Sequence, residues 1–183
     1  MDELLAKKSW DVIVATKDWH PSNHISFASN NPGTKPFELV TFQDPDKPGE
    51  TKSTPVWPDH CVQNSFGSDF PGELKNISRI EHIIKKGTIP NREFYSGFND
   101  IWGSSDTELE ATLKQHDITD IYVVGLALDY CVFHTAVGAS QRGFRTFVLR
   151  QATKPVVPDN TEATYKDLET HSVSALNIDE LSF

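Results

Sequence analysis

Four short runs are apolar at their centres and closed by polar residues: DVIVAT (Asp11–Thr16), EHIIKK (Glu81–Lys86), DIYVVGLA (Asp120–Ala127) and FRTFVLR (Phe144–Arg150). Their centres are continuously apolar instead of alternating. That pattern predicts strands covered on both faces, as in a parallel sheet. Between and after them the apolar spacing turns helical. Asp106–His116 opens on Asp106 as an N-cap and sets Leu109 and Leu113 on one face. Leu128–Gly143 ends on Gly143, a good C-cap, and Asp159–His171 predicts a third helix. The order strand, helix, strand predicts an α/β fold: three layers, α/β/α, with a mostly parallel sheet and right-handed crossovers. A helix-like piece, DELLAKKS, stands ahead of the first strand. Pro32–Pro58 is rich in Pro, Gly, Lys, Asp and Thr and reads as a long surface excursion.

At 183 residues the chain suits one domain, 1–183. Asp and Glu number 26 against 17 Lys and Arg, a formal charge of −9. That balance argues against nucleic acid or an anionic membrane surface as the main partner, since both select basic patches. No apolar run approaches the roughly 18 residues of a spanning helix, and MDELLAKKSW lacks the apolar core of a signal peptide. Cys61 and Cys131 lie far apart and read as free thiols of a reducing compartment, cytoplasm or nucleus.

The candidate chemistry begins at KDWHPSNHISF. Asp18 and His20, one residue apart in an extended segment, point the same way just past a strand end. A carboxylate and an imidazole suit Zn²⁺, Fe²⁺ or Mn²⁺. His24 or His60, the latter in WPDHC, would be further ligands. By itself such a short pattern is more often a polar surface loop. Cys131, in VVGLALDYCVFHTA, falls in the first turn of a helix after a buried strand. Backbone N–H groups and the helix dipole there would lower its pKa and could form an oxyanion hole, though a buried structural cysteine is equally open. Lys86 closes its strand where it could stabilise a thiolate; alone, a solvated lysine is the commoner case. Lys85 alternates to the other face, and Cys61 reads as structural. Trp19, Trp57, Phe94, Tyr95, Phe98 and Trp102 could wall a planar substrate or simply pack the core.

Taken together, VIVATKDWHPSNHISF, WPDHCVQNSFGSDF, KKGTIPNREFYSGF and VVGLALDYCVFHTAVGASQRGF resemble the nicotinamidases (pyrazinamidases) of the isochorismatase-like cysteine hydrolases, in their fungal form. The resemblance implies an isochorismatase-like fold and hydrolysis of nicotinamide to nicotinate and ammonia in NAD salvage, and leaves activity toward pyrazinamide open. It implies Asp18, His20 and His60 as ligands of Zn²⁺ (Fe²⁺ or Mn²⁺ as alternatives), with His24 ligating or bordering the metal. It implies Cys131 as nucleophile, Lys86 as its charged partner, and a cis peptide joining Leu126 and Ala127. The oxyanion hole would be the N–H groups of Ala127 and Cys131, and the ring pocket Trp57 and Tyr95. It allows a homo-oligomer, and a cytoplasmic site extending to nucleus or peroxisome. The family's catalytic Asp ends a strand that precedes the first helix, and this chain has no matching segment. The expectation is therefore of an N-terminally truncated domain, with weakened stability and amidase activity. An inactive metal-binding paralogue or fragment, or another amidohydrolase of the superfamily, is the alternative.

Overall fold

The apolar runs become parallel strands, most of them displaced a little from their predicted spans. The computed structural model describes residues 1–7 and 9–181. A short helix, α1 (Asp2–Ala6), leads to β1 (Val14–Asp18), which pairs in parallel with β4 (His82–Lys86). The pairing sets the boundaries: Val14 lies opposite His82 and Asp18 opposite Lys86. Asp18 is thus the last residue of its strand, not a residue beyond it. β5 (Asp120–Leu126), β6 (Arg145–Lys154) and β7 (Val173–Leu176) form a second parallel sheet in that order. β6 outruns its predicted end because Thr153 and Lys154 pair with Gly125 and Leu126 beyond a bulge. β7 was not expected; VSAL is too short and mixed to stand out. The parallel strands therefore lie in two sheets where one was expected, and β1 and β5 are each strand-paired along one edge only among the described residues.

Alternation in the larger sheet builds two cores. Val123, Val148 and Val173 face α3 (Phe133–Gln141) and α4 (Thr161–Thr170), packing with Val132, Ala136 and Leu168. Tyr122, Val124, Leu149 and Leu176 face the other way, where Leu4 of α1 and Trp10 cover them. Helices on both faces are what an α/β sheet needs. Ile84, Phe98, Leu109, Leu113 and Phe144 form a third cluster with Val14 and Ile121, and it ties β1 and β4 to α2 (Leu109–Gln115) and to β5. Full burial of one such aliphatic side chain contributes about 1.5–3 kcal/mol. β4 itself is covered on one face only, since Ile83 is 48% exposed.

Three helical expectations shift. α2 starts at Leu109 because Asp106, the expected cap, forms a β-bridge with Asn99. The helix expected from Leu128 opens as a π-helical turn, Leu128–Val132, before α3, and Gly143 follows α3 with φ +86°. α4 is preceded by a 3₁₀ turn, Pro158–Asn160. The Pro32–Pro58 excursion holds an antiparallel hairpin, β2 (Leu39–Gln43) and β3 (Thr51–Pro55). In its two strands only Phe42 and Thr54 are buried, which is why its pattern reads as a loop. No described helix is long and apolar enough to cross a membrane.

Candidate active site

β1 and β4 end side by side at Asp18 and Lys86. β5 leads through a cis Leu126–Ala127 peptide into the turn that carries Cys131. The carboxyl ends of these strands are where open α/β folds bind ligands. Lys86 sits at the convergence, 3% exposed. Its Nζ donates to the Phe94 carbonyl at 2.8 Å and to Cys131 Sγ at 3.3 Å, and it pairs with Asp18 Oδ1. Two N–H donors thus hydrogen-bond, and the ammonium has the Asp18 carboxylate as its ion-pair partner. Burial opposes the ammonium, but Asp18 and Cys131 outweigh it and hold Lys86 well above the ordinary lysine range. Burial also opposes the Asp18 carboxylate; Lys86 and His20 reverse that and leave it below its usual value.

The thiol departs from expectation. Burial pushes Cys131 up to about 11, with Lys86 pulling the other way and Asp18 adding to the rise. The helix-terminus effect invoked from the sequence loses to desolvation, and the residue lies in the π-helical turn ahead of α3. At neutral pH the resting sulfur is a thiol held against an ammonium.

Beside this trio, Asp18, His20 and His60 offer ligand atoms within 4.8 Å of one another. His20 Nδ1 donates to the Gly87 carbonyl at 2.9 Å, and His60 Nδ1 to the Pro58 carbonyl at 2.8 Å. Each bond fixes the tautomer and leaves Nε2 with a free lone pair, the arrangement seen for ligating histidines. His60 Nε2 stands 3.9 Å from Asp18 Oδ2. Burial lowers His20 to about 4, so the ring is neutral and competent to ligate. Two imidazoles and a carboxylate are a donor set that fits a divalent transition metal. His24 borders the group. Its ring lies 4.1 Å from that of His20, its Nε2 donates to the Arg92 carbonyl at 2.9 Å, and its Nδ1 is engaged by Ser26 Oγ at 2.7 Å. With both nitrogens spent, it supports His20.

Gly87 is required for this geometry. Its φ is +64°, and a Cβ there would lie 2.3 Å from His20 Cε1. Gly87→Ala is expected to displace the ring and weaken Zn²⁺ binding about 10–100-fold, read by competition with a chromophoric chelator.

Trp57 and Tyr95 lie together: Trp57 Nε1 donates to the Tyr95 hydroxyl at 3.1 Å. Tyr130, not anticipated, lies edge-on to Trp57 with centroids 4.7 Å apart. Phe94 and Phe98 are buried, and Phe98 belongs to the core. Trp19 carries Lys85 Nζ over its ring at 3.9 Å, so Lys85 does diverge from Lys86. Cys61 is a free thiol whose carbonyl accepts from His20 N at 3.0 Å.

Sequence reasoning missed Glu93. It is 3% exposed, and burial lifts its carboxyl to about 7 despite the nearby Lys86. The signal was a single carboxylate inside the aromatic run REFYSGF. A raised carboxyl means that the folded state binds more protons than the unfolded chain between 4.5 and about 7, so stability falls as pH rises through that window. Glu93→Gln is expected to remove this fall, so that urea melts of variant and wild type diverge above pH 7 in favour of the variant and converge below pH 4.5.

The Isochorismatase domain profile matches residues 23–179. The chain belongs to the isochorismatase family. Within that family it is 36% identical over 178 residues to the nicotinamidase of Saccharomyces cerevisiae, covering 94% of this chain and 82% of that one. It is 40% identical over 147 residues to the nicotinamidase of Acinetobacter baylyi, covering 80% and 65%. The crystal structure of the yeast nicotinamidase bound to the inhibitor nicotinaldehyde aligns at a TM-score of 0.91 and 34% identity, over 96% of this chain and 85% of that one. The pyrazinamidase of Pyrococcus horikoshii, solved in complex with zinc, aligns at 0.69 and 32% identity, over 91% and 75%. The isochorismatase-like fold of this chain, with its mostly parallel strands, is thus shared with the yeast nicotinamidase and with a pyrazinamidase solved in complex with zinc.

Proposed function

We propose that this isochorismatase-family chain is a cysteine amidohydrolase that converts nicotinamide to nicotinate and ammonia, acting as a single domain over 1–183 in the cytoplasm. The observation that carries the reading is Lys86 held between Asp18 and Cys131 Sγ at 3.3 Å, with two histidines of free Nε2 alongside. Likeness to nicotinamidases over most of the chain supports the substrate, and pyrazinamide, an isosteric ring amide, follows it.

Asp18, His20 and His60 would hold Zn²⁺, or Fe²⁺ or Mn²⁺, which would supply Lewis-acid character for orienting the ring. Trp57 and Tyr95 flank the ring. Cys131, once its proton is taken, attacks the carboxamide carbon and forms a carbon–sulfur bond. The N–H groups of Ala127 and Cys131 donate to the developing oxyanion. The carbon–nitrogen bond breaks, ammonia leaves with the transferred proton, and water cleaves the thioester to nicotinate and restores the thiol. Lys86 keeps positive charge at the sulfur throughout.

The proton needs a shuttle. The proton taken from the thiol is handed to the leaving nitrogen by such a general acid–base group. The test is ammonia release from nicotinamide by chelator-stripped protein, before and after Zn²⁺, Fe²⁺ or Mn²⁺. Release restored by metal is expected. No release with any of the three would sink the reading.

A further inference from the structure

At the far end of β4 from Lys86, a second histidine pair has no role in the site above. His82 opens the strand, and His116 follows the last residue of α2. Their Nε2 atoms are 2.9 Å apart, with ring planes at 67°. Four residues of strand put this pair about 13 Å from Lys86. Both rings are half-buried, and His116 lines an open cleft with Asp11, Asp117 and Asp120.

Two neutral imidazoles can face each other through Nε2 only if one carries a proton there and the other a lone pair. That shared position suits a cation equally. If the first ring moves its proton to Nδ1, both Nε2 atoms become donors to a metal with no net proton released. Two bonds of about 2.0–2.1 Å meeting near a right angle place their nitrogens about 2.9 Å apart, whereas a tetrahedral angle needs about 3.4 Å. The right-angled, tetragonal arrangement is that of Cu²⁺ and Ni²⁺, and imidazole nitrogen suits both. The cleft carboxylates add a negative potential on the His116 side of the pair. Asp120 is engaged with Arg145, which leaves Asp11 and Asp117 as the acids facing the opening.

We propose that His82 and His116 form a second transition-metal site, independent of Asp18, His20 and His60, that takes Cu²⁺ or Ni²⁺ through the two Nε2 atoms, with water completing the shell. Such an ion would clamp the start of β4 to the end of α2. The test is Cu²⁺ titration by calorimetry and electron paramagnetic resonance, on wild type and on His60→Ala to weaken the first site. The site predicts two equivalents on wild type, and on His60→Ala a remaining strong equivalent with hyperfine coupling to two imidazole nitrogens. His82→Gln and His116→Gln, each confirmed folded by circular dichroism, should bind that equivalent at least about tenfold more weakly. One equivalent on wild type, or a second that neither Gln variant weakens, would overturn the proposal.

Discussion

Cys131→Ala is expected to abolish ammonia release from nicotinamide, by about 10⁴-fold or more in kcat, while leaving Zn²⁺ binding within a few-fold of wild type. The size follows from what is removed. The sulfur is the nucleophile that the proposed reaction uses, and losing it collapses catalysis to what binding and the oxyanion donors supply alone. The selectivity follows from geometry: Cys131 touches Lys86, whereas the two histidines of the metal group take their orienting bonds from Gly87 and Pro58, and Asp18 keeps its pairing with Lys86. Cys131→Ser should be almost as inactive, since a hydroxyl is a far weaker nucleophile. A thiol raised to about 11 by burial also predicts that iodoacetamide labels the unliganded protein slowly at neutral pH, accelerating about tenfold per pH unit toward that value.

Lys86→Met carries the second largest effect, a loss of about 10²–10³-fold in kcat/KM together with about 3–5 kcal/mol of stability. The methylene stem is kept and the charge removed. Cys131 then keeps its burial without the one cation that opposes it, so fewer thiolates form. Asp18 keeps its burial without its main counter-charge. A carboxyl depressed in the folded state stabilises above its unfolded value of 3.8 and loses that contribution as pH falls through its folded value. Lys86→Met should therefore be most destabilised at neutral pH and approach wild type in strong acid, read by urea melts. Lys86→Arg is not expected to rescue activity, because a planar guanidinium cannot meet Asp18, Sγ and the Phe94 carbonyl from one nitrogen.

The parts of the fold legible in the sequence are those with concentrated apolar residues. The strands through Ile84, Val123 and Val148 announce themselves because each places an aliphatic side chain in a packed cluster. β7 and the hairpin stay hidden because few of their residues are buried and the rest is exchanged for Thr, Ser and Lys. The end of α2 that meets the chain first is decided by the Asn99–Asp106 bridge, a long-range contact that no local capping rule contains. The site divides in the same way. Asp18 and His20 are close in sequence and share a face, so their spacing speaks. His60, Lys86 and Cys131 join them only through strand register and the turn after β5, and it was their linked motifs that brought them together. Glu93 carried no motif, and its importance lies in burial. The expected depression of the Cys131 thiol failed for a related reason: the helix-terminus effect is local, but desolvation and the Asp18 charge come from the whole site.

Covalent capture tests most directly that hydrolysis runs through Cys131. Metal-loaded protein is mixed with nicotinamide, quenched in acid within one turnover, digested and mapped by mass spectrometry. Hydrolysis through a thioester predicts one nicotinoyl group on the peptide containing Cys131, with none on Cys61 and none in Cys131→Ala. Ammonia released at an undiminished rate by Cys131→Ala, or a nicotinoyl group on any residue other than Cys131, would contradict it.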